Sequence, residues 1–495
     1  MNYTSENGTP RDDDNIRGPY FDENGLRYSA NGKILLSYPE GTSGRVEIPE
    51  GVETLAADAL RNCGTITELC IPASMQSLHC DAFKKRNIQR FDVHPDNTVF
   101  STAQGGELLL SQNGIVLMKA SCLCQEVNVP IGVSIIGSYA FQDCQNLRSI
   151  DLPDTVTKIG TSSFAQCVNL SDVKLSPNIQ KLPGWVFKDC QSLEHIDLPE
   201  GLTRIGIGSF AGCCNLKEIQ LPENLNSLSP MSFANCTSIT EIFLPKRVKN
   251  VDASTFDGCS ALENIIVDED NAKLSSENGL LYNKYQTQLI RCPENSRYFE
   301  LPELLSSFAP SAFAGCSNLV EIEIPKYIFT MPEYCFAGCS NLETVKLNDN
   351  LQRIGQSAFE GCKKLKNITL PDSLQYLGDY SFAGCESIEK LRLPEGIIEI
   401  GTSSENPNIK KGCTFYGCTS LTWLRIPNSV RYLNEYCFGN CTSLVEITLP
   451  FMLEYVNKDL FFGCTNLKKV LLCNPDTIIE EGCFGQDVEV IFGKK

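Results

Sequence analysis

The chain has 495 residues, 25 cysteines, 3 histidines and a net charge of −18 from 60 acids against 42 bases. That balance argues against a phosphate-tracking nucleic-acid binder and a polybasic membrane-surface protein, since both need a basic face. At 42% hydrophobic the chain can fill a core, which excludes global disorder, and no apolar run reaches the roughly 18–20 residues of a membrane helix. Residues 1–19 read as a flexible polar tail; they are acidic and lack the apolar stretch of a secretory signal. The expectation is either an intracellular protein or one whose signal has been removed. Gly25 to Tyr38 follows as two apolar runs around Asn31-Gly32, the strongest short hairpin signal.

From Cys63 onward a ruler appears. Cys144, Cys167, Cys190, Cys213, Cys236 and Cys259 are each 23 residues apart, as are Cys316, Cys339, Cys362 and Cys385, and again Cys418, Cys441 and Cys464. A phenylalanine precedes almost every one by three residues, from Phe141 to Phe461. Residues 140–160 give the whole unit, A-F-x-x-C-x-x-L-x-x-I-x-L-P-x-x-[VL]-x-x-I-G. Leu147, Ile150 and Leu152 mark a short strand that Pro153 stops, and the Phe-to-Cys segment suits a single helical turn. Each unit has one apolar edge that only stacking can bury, so the units build a right-handed coil with a parallel sheet on one face.

Two gaps break the ruler: Phe83 to Phe141 spans 58 residues and Phe256 to Phe313 spans 57. The first holds apolar runs around Asn113-Gly114, and the second pairs Gly279–Tyr282 with Thr287–Ile290. With Gly25–Tyr38 these read as three β-hairpins riding on the solenoid, near residues 25–38, 91–130 and 265–300; most such inserts are structural. A smaller insertion, Thr402–Asn408, is a polar loop between Phe382 and Phe415. The degenerate last unit, residues 470–495, reads as a C-terminal cap.

The pattern resembles the leucine-rich repeats of the Treponema pallidum type found in BspA-like surface proteins, over nearly all of residues 45–492. The resemblance implies a curved solenoid of about 16 repeats in residues 20–495, α/β but β-rich, with parallel strands on the concave side and short turns on the convex side. It also implies a bacterial cell-surface or secreted protein of adhesion type, although the chain shows no export signal or anchor.

Fourteen cysteines hold the repeat frame, and Cys335, Cys437 and Cys483 hold the small-residue position before Phe. All seventeen read as small, buried, reduced core residues, because equivalent positions on successive turns stack side by side and do not face each other. No Cys-x-x-Cys occurs, and His79 beside Cys80 is the nearest approach to a ligand pair, so no metal or other cofactor is expected. No nucleophile elbow, His-Glu-x-x-His motif or phosphate-binding glycine loop appears, so the chain is not expected to be an enzyme. Six Asn-x-Ser/Thr sequons, at Asn2, Asn7, Asn169, Asn235, Asn367 and Asn440, matter only in a glycosylating host.

In L-x-x-I-x-L the residues flanking Ile point to the open face. The early rungs are mainly acidic, with Glu241/Phe243 and later Glu321/Glu323. Lys390/Arg392 and Trp423/Arg425 are basic and carry a tryptophan. Trp and Arg dominate interface hot spots, so Trp423, Arg392, Arg425 and Lys390 are the candidate contact patch, with Phe243, Glu241, Glu321 and Glu323 as further candidates. The competing reading is that Trp423 stacks on Lys390 and merely covers the sheet. The expected function is a monomeric, non-catalytic module that binds a protein on a host or neighbouring cell, without nucleic-acid binding or membrane insertion. The alternatives are an intracellular scaffold and, more remotely, a hydrolase with an acidic site.

Overall fold

Most 23-residue units yield one or two short strands and a turn, tied to the next unit by backbone hydrogen bonds. The computed structural model describes residues 18–111, 113–297, 299–401 and 412–493. Most of the polar tail, sequons Asn2 and Asn7, and the loop expected at Thr402–Asn408 lie outside the described residues. The chain forms two compact units, Met1–Leu216 and Lys217–Lys495, each a β-solenoid. The helical pieces among the described residues are short 3-10 turns, Cys80–Phe83, Gln104–Gly106 and Ala253–Phe256. No described helix is long and apolar enough to cross a membrane.

The L-x-x-I-x-L segments form a first ladder of parallel strands. In the first unit Glu126–Asn128, Ser149–Asp151 and Asp172–Lys174 pair in register, burying Val127, Ile150 and Val173. In the second unit the longest such sheet joins Lys390–Arg392, Trp423–Arg425, Glu446–Leu449, Lys469–Leu472 and Glu489–Phe492. The I-G segments form a second ladder, for example Ile135–Ile136 with Lys158–Ile159 and Arg353–Ile354 with Tyr376–Leu377. The closing glycine is there for space: a Cβ on Gly160 or Gly206 would overlap the backbone of the preceding unit, at Ser138 and Pro183 respectively.

The Phe-to-Cys segments do not form the helical turn that their length suggests. Phe141 N–H donates to the Ser163 carbonyl (2.7 Å) and Asp143 N–H to that of Ala165 (3.0 Å), so the turns make a third row of inter-unit bonds. Positive φ at Tyr139 (61°) and Asp143 (63°) swings these groups toward the neighbour. Two of the 3-10 turns, Cys80–Phe83 and Ala253–Phe256, stand in the units just before the long gaps. There the next unit is not an ordinary one, and the turn closes on itself.

Inside this wall the phenylalanines stack. Phe141, Phe164, Phe187 and Phe210 lie 5.1–5.5 Å apart in the first unit. Phe313, Phe336, Phe359, Phe382, Phe415, Phe438 and Phe461 lie 4.8–5.8 Å apart in the second. Fully burying each ring is worth about 1.5–3 kcal/mol, and each offset pair adds roughly 0.5–1.5 kcal/mol.

The three long segments are part of the wall. Each has antiparallel strands whose last member joins the second ladder in parallel. Arg27–Tyr28 pairs antiparallel with Ile34–Ser37, which pairs parallel with Thr54–Leu55. Phe100–Ala103, Leu108–Ser111 and Val116–Ala120 run antiparallel, and the last pairs with Ile135–Ile136. Leu274–Glu277, Leu280–Asn283 and Gln288–Arg291 repeat the arrangement, ending on Ser307–Phe308.

Candidate functional site

Side chains alternate across the first ladder, so burial of Leu391, Leu424 and Ile447 leaves their neighbours facing solvent. Lys390 stands opposite Trp423, and Arg392 opposite Arg425, on adjacent parallel strands. The insertion between these strands leaves their register intact. Trp423 is 43% exposed. The described residues with a cation close over a ring are Phe21, Tyr139, Trp185, Tyr327 and Tyr376. Trp423 is not among them.

The cations differ in their partners. Arg425 Nη2 reaches Glu395 Oε1 at 2.8 Å, with both side chains more than half exposed. Sequence reasoning missed Glu395, because it lies in the turn beyond the strand. Lys390 and Arg392 are exposed and make no ion pair among the described residues. Thr448 lies beside Arg425, and the next pair outward is Glu446 with Lys469.

The other candidates stand elsewhere in the second unit. Glu321 and Glu323 sit on the three-stranded sheet of Glu321–Glu323, Thr344–Lys346 and Asn367–Ile368. Glu321 is bound by Lys346 at 2.5 Å, a bond that holds the ammonium above its usual range. Glu241 and Phe243 belong to a two-stranded sheet, where Phe243 (44% exposed) lies beside Ile266 (38% exposed). The eight candidates therefore fall on three separate sheets, and only Lys390, Arg392, Trp423 and Arg425 form one patch.

Among the described residues two groups have metal-ligating atoms within 4.8 Å of one another, His79-Cys80-Asp81 and Glu68-Cys70-Asp92. In the first, His79 Nδ1 is occupied as acceptor of the Asp81 N–H, and burial pushes the Cys80 thiol up, away from the thiolate a metal needs. In the second, Arg45 already bridges Glu68 and Asp92. Neither arrangement resembles a built metal centre.

The cysteines show what sequence reading did not anticipate. Among the described residues, which include all 25 cysteines, there is no disulfide. Each regular framed thiol donates to the carbonyl of the Phe in the preceding unit: Cys167 to Phe141 (3.0 Å), Cys190 to Phe164 (3.1 Å), Cys339 to Phe313 (3.1 Å) and Cys441 to Phe415 (3.2 Å). The position asks for a small side chain that can also donate a hydrogen bond.

Parallel strand, turn and short strand, repeated around stacked apolar columns with an exposed rung face, define a leucine-rich-repeat solenoid. The model of the BspA-type leucine-rich repeat region matches residues 42–103, 119–236, 186–295, 291–410 and 403–490, and the chain belongs to that family. No curated protein matches. A solved leucine-rich cell surface protein from Faecalibacterium prausnitzii is 22% identical with a TM-score of 0.53, over 77% of this chain and 96% of its own. A leucine-rich repeat protein from Bacteroides ovatus is 23% identical with a TM-score of 0.38, over 97% and 99% of the two chains.

Proposed function

We propose that the protein is a non-catalytic interaction module that grips a protein ligand through Trp423 and the cations beside it, acting at a bacterial cell surface or after secretion. Repeat proteins of this kind present extended binding surfaces, and the F. prausnitzii neighbour carries a cell-surface description. The observation that carries the reading is a half-exposed indole flanked by Lys390 and Arg392, two exposed cations without an ion-pair partner among the described residues. An exposed ring beside unpaired cations suits an acidic segment bearing an apolar side chain.

The test is to isolate a ligand from host and bacterial extracts, then titrate it against the wild type and Trp423→Ala, Arg392→Ala and Arg425→Ala. A hot spot costs at least about 2 kcal/mol, close to thirtyfold in Kd. Unchanged affinity in all three variants would refute the patch. A second reading, an intracellular scaffold using the same patch, is favoured by the absence of disulfides among 25 cysteines. Protease treatment of intact cells separates the two: a surface protein is cleaved and an internal one is protected.

A further inference from the structure

In a chain of net charge −18, four cations of the second unit converge on one concavity. It measures about 360 Å3 and is lined by Lys246, Arg247, Lys249 and Lys273 together with Asn226. Val248 and Ala272 supply its apolar part. None of the four cations makes an ion pair among the described residues. Glu269 and Asp270, which the 23-residue frame places one rung beyond Lys246 and Arg247, do not line the space.

The cluster is held in place from beneath. Lys246, Arg247 and Lys249 lie in the turn after the strand Glu241–Leu244, and Lys273 opens the long segment that follows Asn264–Val267. Asn271, wholly buried, ties the two together: its Nδ2 donates to the Pro245 and Val248 carbonyls (3.1 and 2.9 Å), and its Oδ1 accepts the Lys273 N–H (2.9 Å). Arg247 is steadied by its Nη1 on Asn224 Oδ1 at 2.8 Å.

Four like charges lining one concavity, none of them in an ion pair among the described residues, raise the local positive potential. A multivalent anion is favoured there. Lysines act as compact point charges, and an arginine adds a planar fork; together they suit the oxygens of a tetrahedral ester more than one carboxylate. The volume falls at the small end of ligand sites, roughly 300–1,000 Å3, enough for one ring. We propose that this concavity binds a sulfate or phosphate ester carried on a sugar-sized group.

The test is calorimetric titration of the full chain at low salt with a heparin tetrasaccharide, with inositol hexakisphosphate and with neutral chitotetraose. The expected result is saturable binding of at least one charged probe and none of the neutral one, with affinity falling as salt rises. The probe that binds tells sulfate from phosphate esters. Lys249→Glu with Lys273→Glu should raise Kd at least about tenfold, and Trp423→Ala should leave it unchanged, which separates this site from the ligand patch. All four cationic positions are exposed, so matched melting curves verify the fold; Lys249→Gln with Lys273→Gln is the milder pair. Absence of binding by both charged probes, or wild-type affinity in the double variants, overturns the proposal.

Discussion

At the scale of single residues the repeat turns on one thiol. Cys362 is fully buried and donates to the Phe336 carbonyl at 3.1 Å. If small size alone mattered, alanine would replace it better than serine. The hydrogen bond reverses that order, because alanine leaves a buried carbonyl without a donor. Cys362→Ala should cost about 1–3 kcal/mol, and Cys362→Ser, which keeps a donor, should cost less. Urea midpoints of the two variants decide: a more stable alanine variant would mean that the bond contributes nothing. The sequence shows the frame plainly, since Phe and Cys recur at 23-residue spacing. It hides the donor, because a small apolar residue and a weak donor are written with the same letter.

At the scale of elements the long segments show how a repeat array survives interruption. The two that interrupt the 23-residue frame both begin with an asparagine that closes the previous unit. Asn97 donates to the Pro72 and Met75 carbonyls (2.7 and 3.1 Å), as Asn271 does to Pro245 and Val248. Both end with a buried cation one residue before an inter-unit bond, Ala120 N–H to Ala140 O and Cys292 N–H to Ala312 O. Lys119 donates to the Tyr139 and Gln142 carbonyls at 3.0 and 3.1 Å. Arg291 donates to the Ser311 carbonyl (2.7 Å) and pairs with Asp257 (3.0 Å) and Glu294 (2.9 Å). Its Nη2 also reaches the Phe256 carbonyl at 3.5 Å, where a framed cysteine would donate in an uninterrupted array. The two cations have different support. Burial lowers the Lys119 pKa: its hydrogen bonds go to carbonyls and Asp143 acts on it only through space, whereas Arg291 pairs directly with two carboxylates. Arg291→Ala should therefore destabilise by about 3–5 kcal/mol, since it strands Asp257 and Glu294. Lys119→Met, which keeps the bulk and removes a poorly solvated charge, should cost less, about 1–3 kcal/mol. Denaturant titrations of the two variants check the order. The strands around Asn113-Gly114 and Asn31-Gly32 were legible from turn chemistry. The third strands, Phe100–Ala103 and Leu274–Glu277, were not, because F-S-T-A and L-S-S-E lack apolar alternation. The shared cation could be read only as a charge at the end of an apolar run, L-M-K-A and L-I-R-C. Of the proposed patch, the strand order and rung columns followed from the frame, while Glu395 did not, because turns carry no fixed facing.

At the scale of the whole molecule the stacked thiols predict how stability depends on pH. Burial pushes Cys144, Cys362 and Cys418 up to about 12 from an ordinary value near 9, and lifts Cys167, Cys190, Cys339 and Cys385 well above it. A group whose folded pKa is raised binds its proton more tightly in the folded state. Its stabilising contribution is complete below the unfolded value and is lost as pH climbs toward the folded one. Cys144, Cys362 and Cys418 thus each withdraw about 1.4 kcal/mol per pH unit between roughly 9 and 12. The three thiols raised to about 12 together withdraw about 4 kcal/mol by pH 10, a large share of the stability of an ordinary domain, and the other four act in the same direction. Burial raises Asp257 and Glu294 as well, despite the opposing pull of Arg291; their contribution is present at acid pH and is lost as pH rises, so they do not make the fold acid-labile. The urea midpoint should be level from about pH 6 to 8 and fall steeply above 9. Replacing Cys339, Cys362 and Cys385 together by serine, which does not ionise there, should flatten the alkaline limb while lowering the neutral plateau. A midpoint constant to pH 11, or an unchanged slope in the triple variant, would show that buried thiols do not govern it.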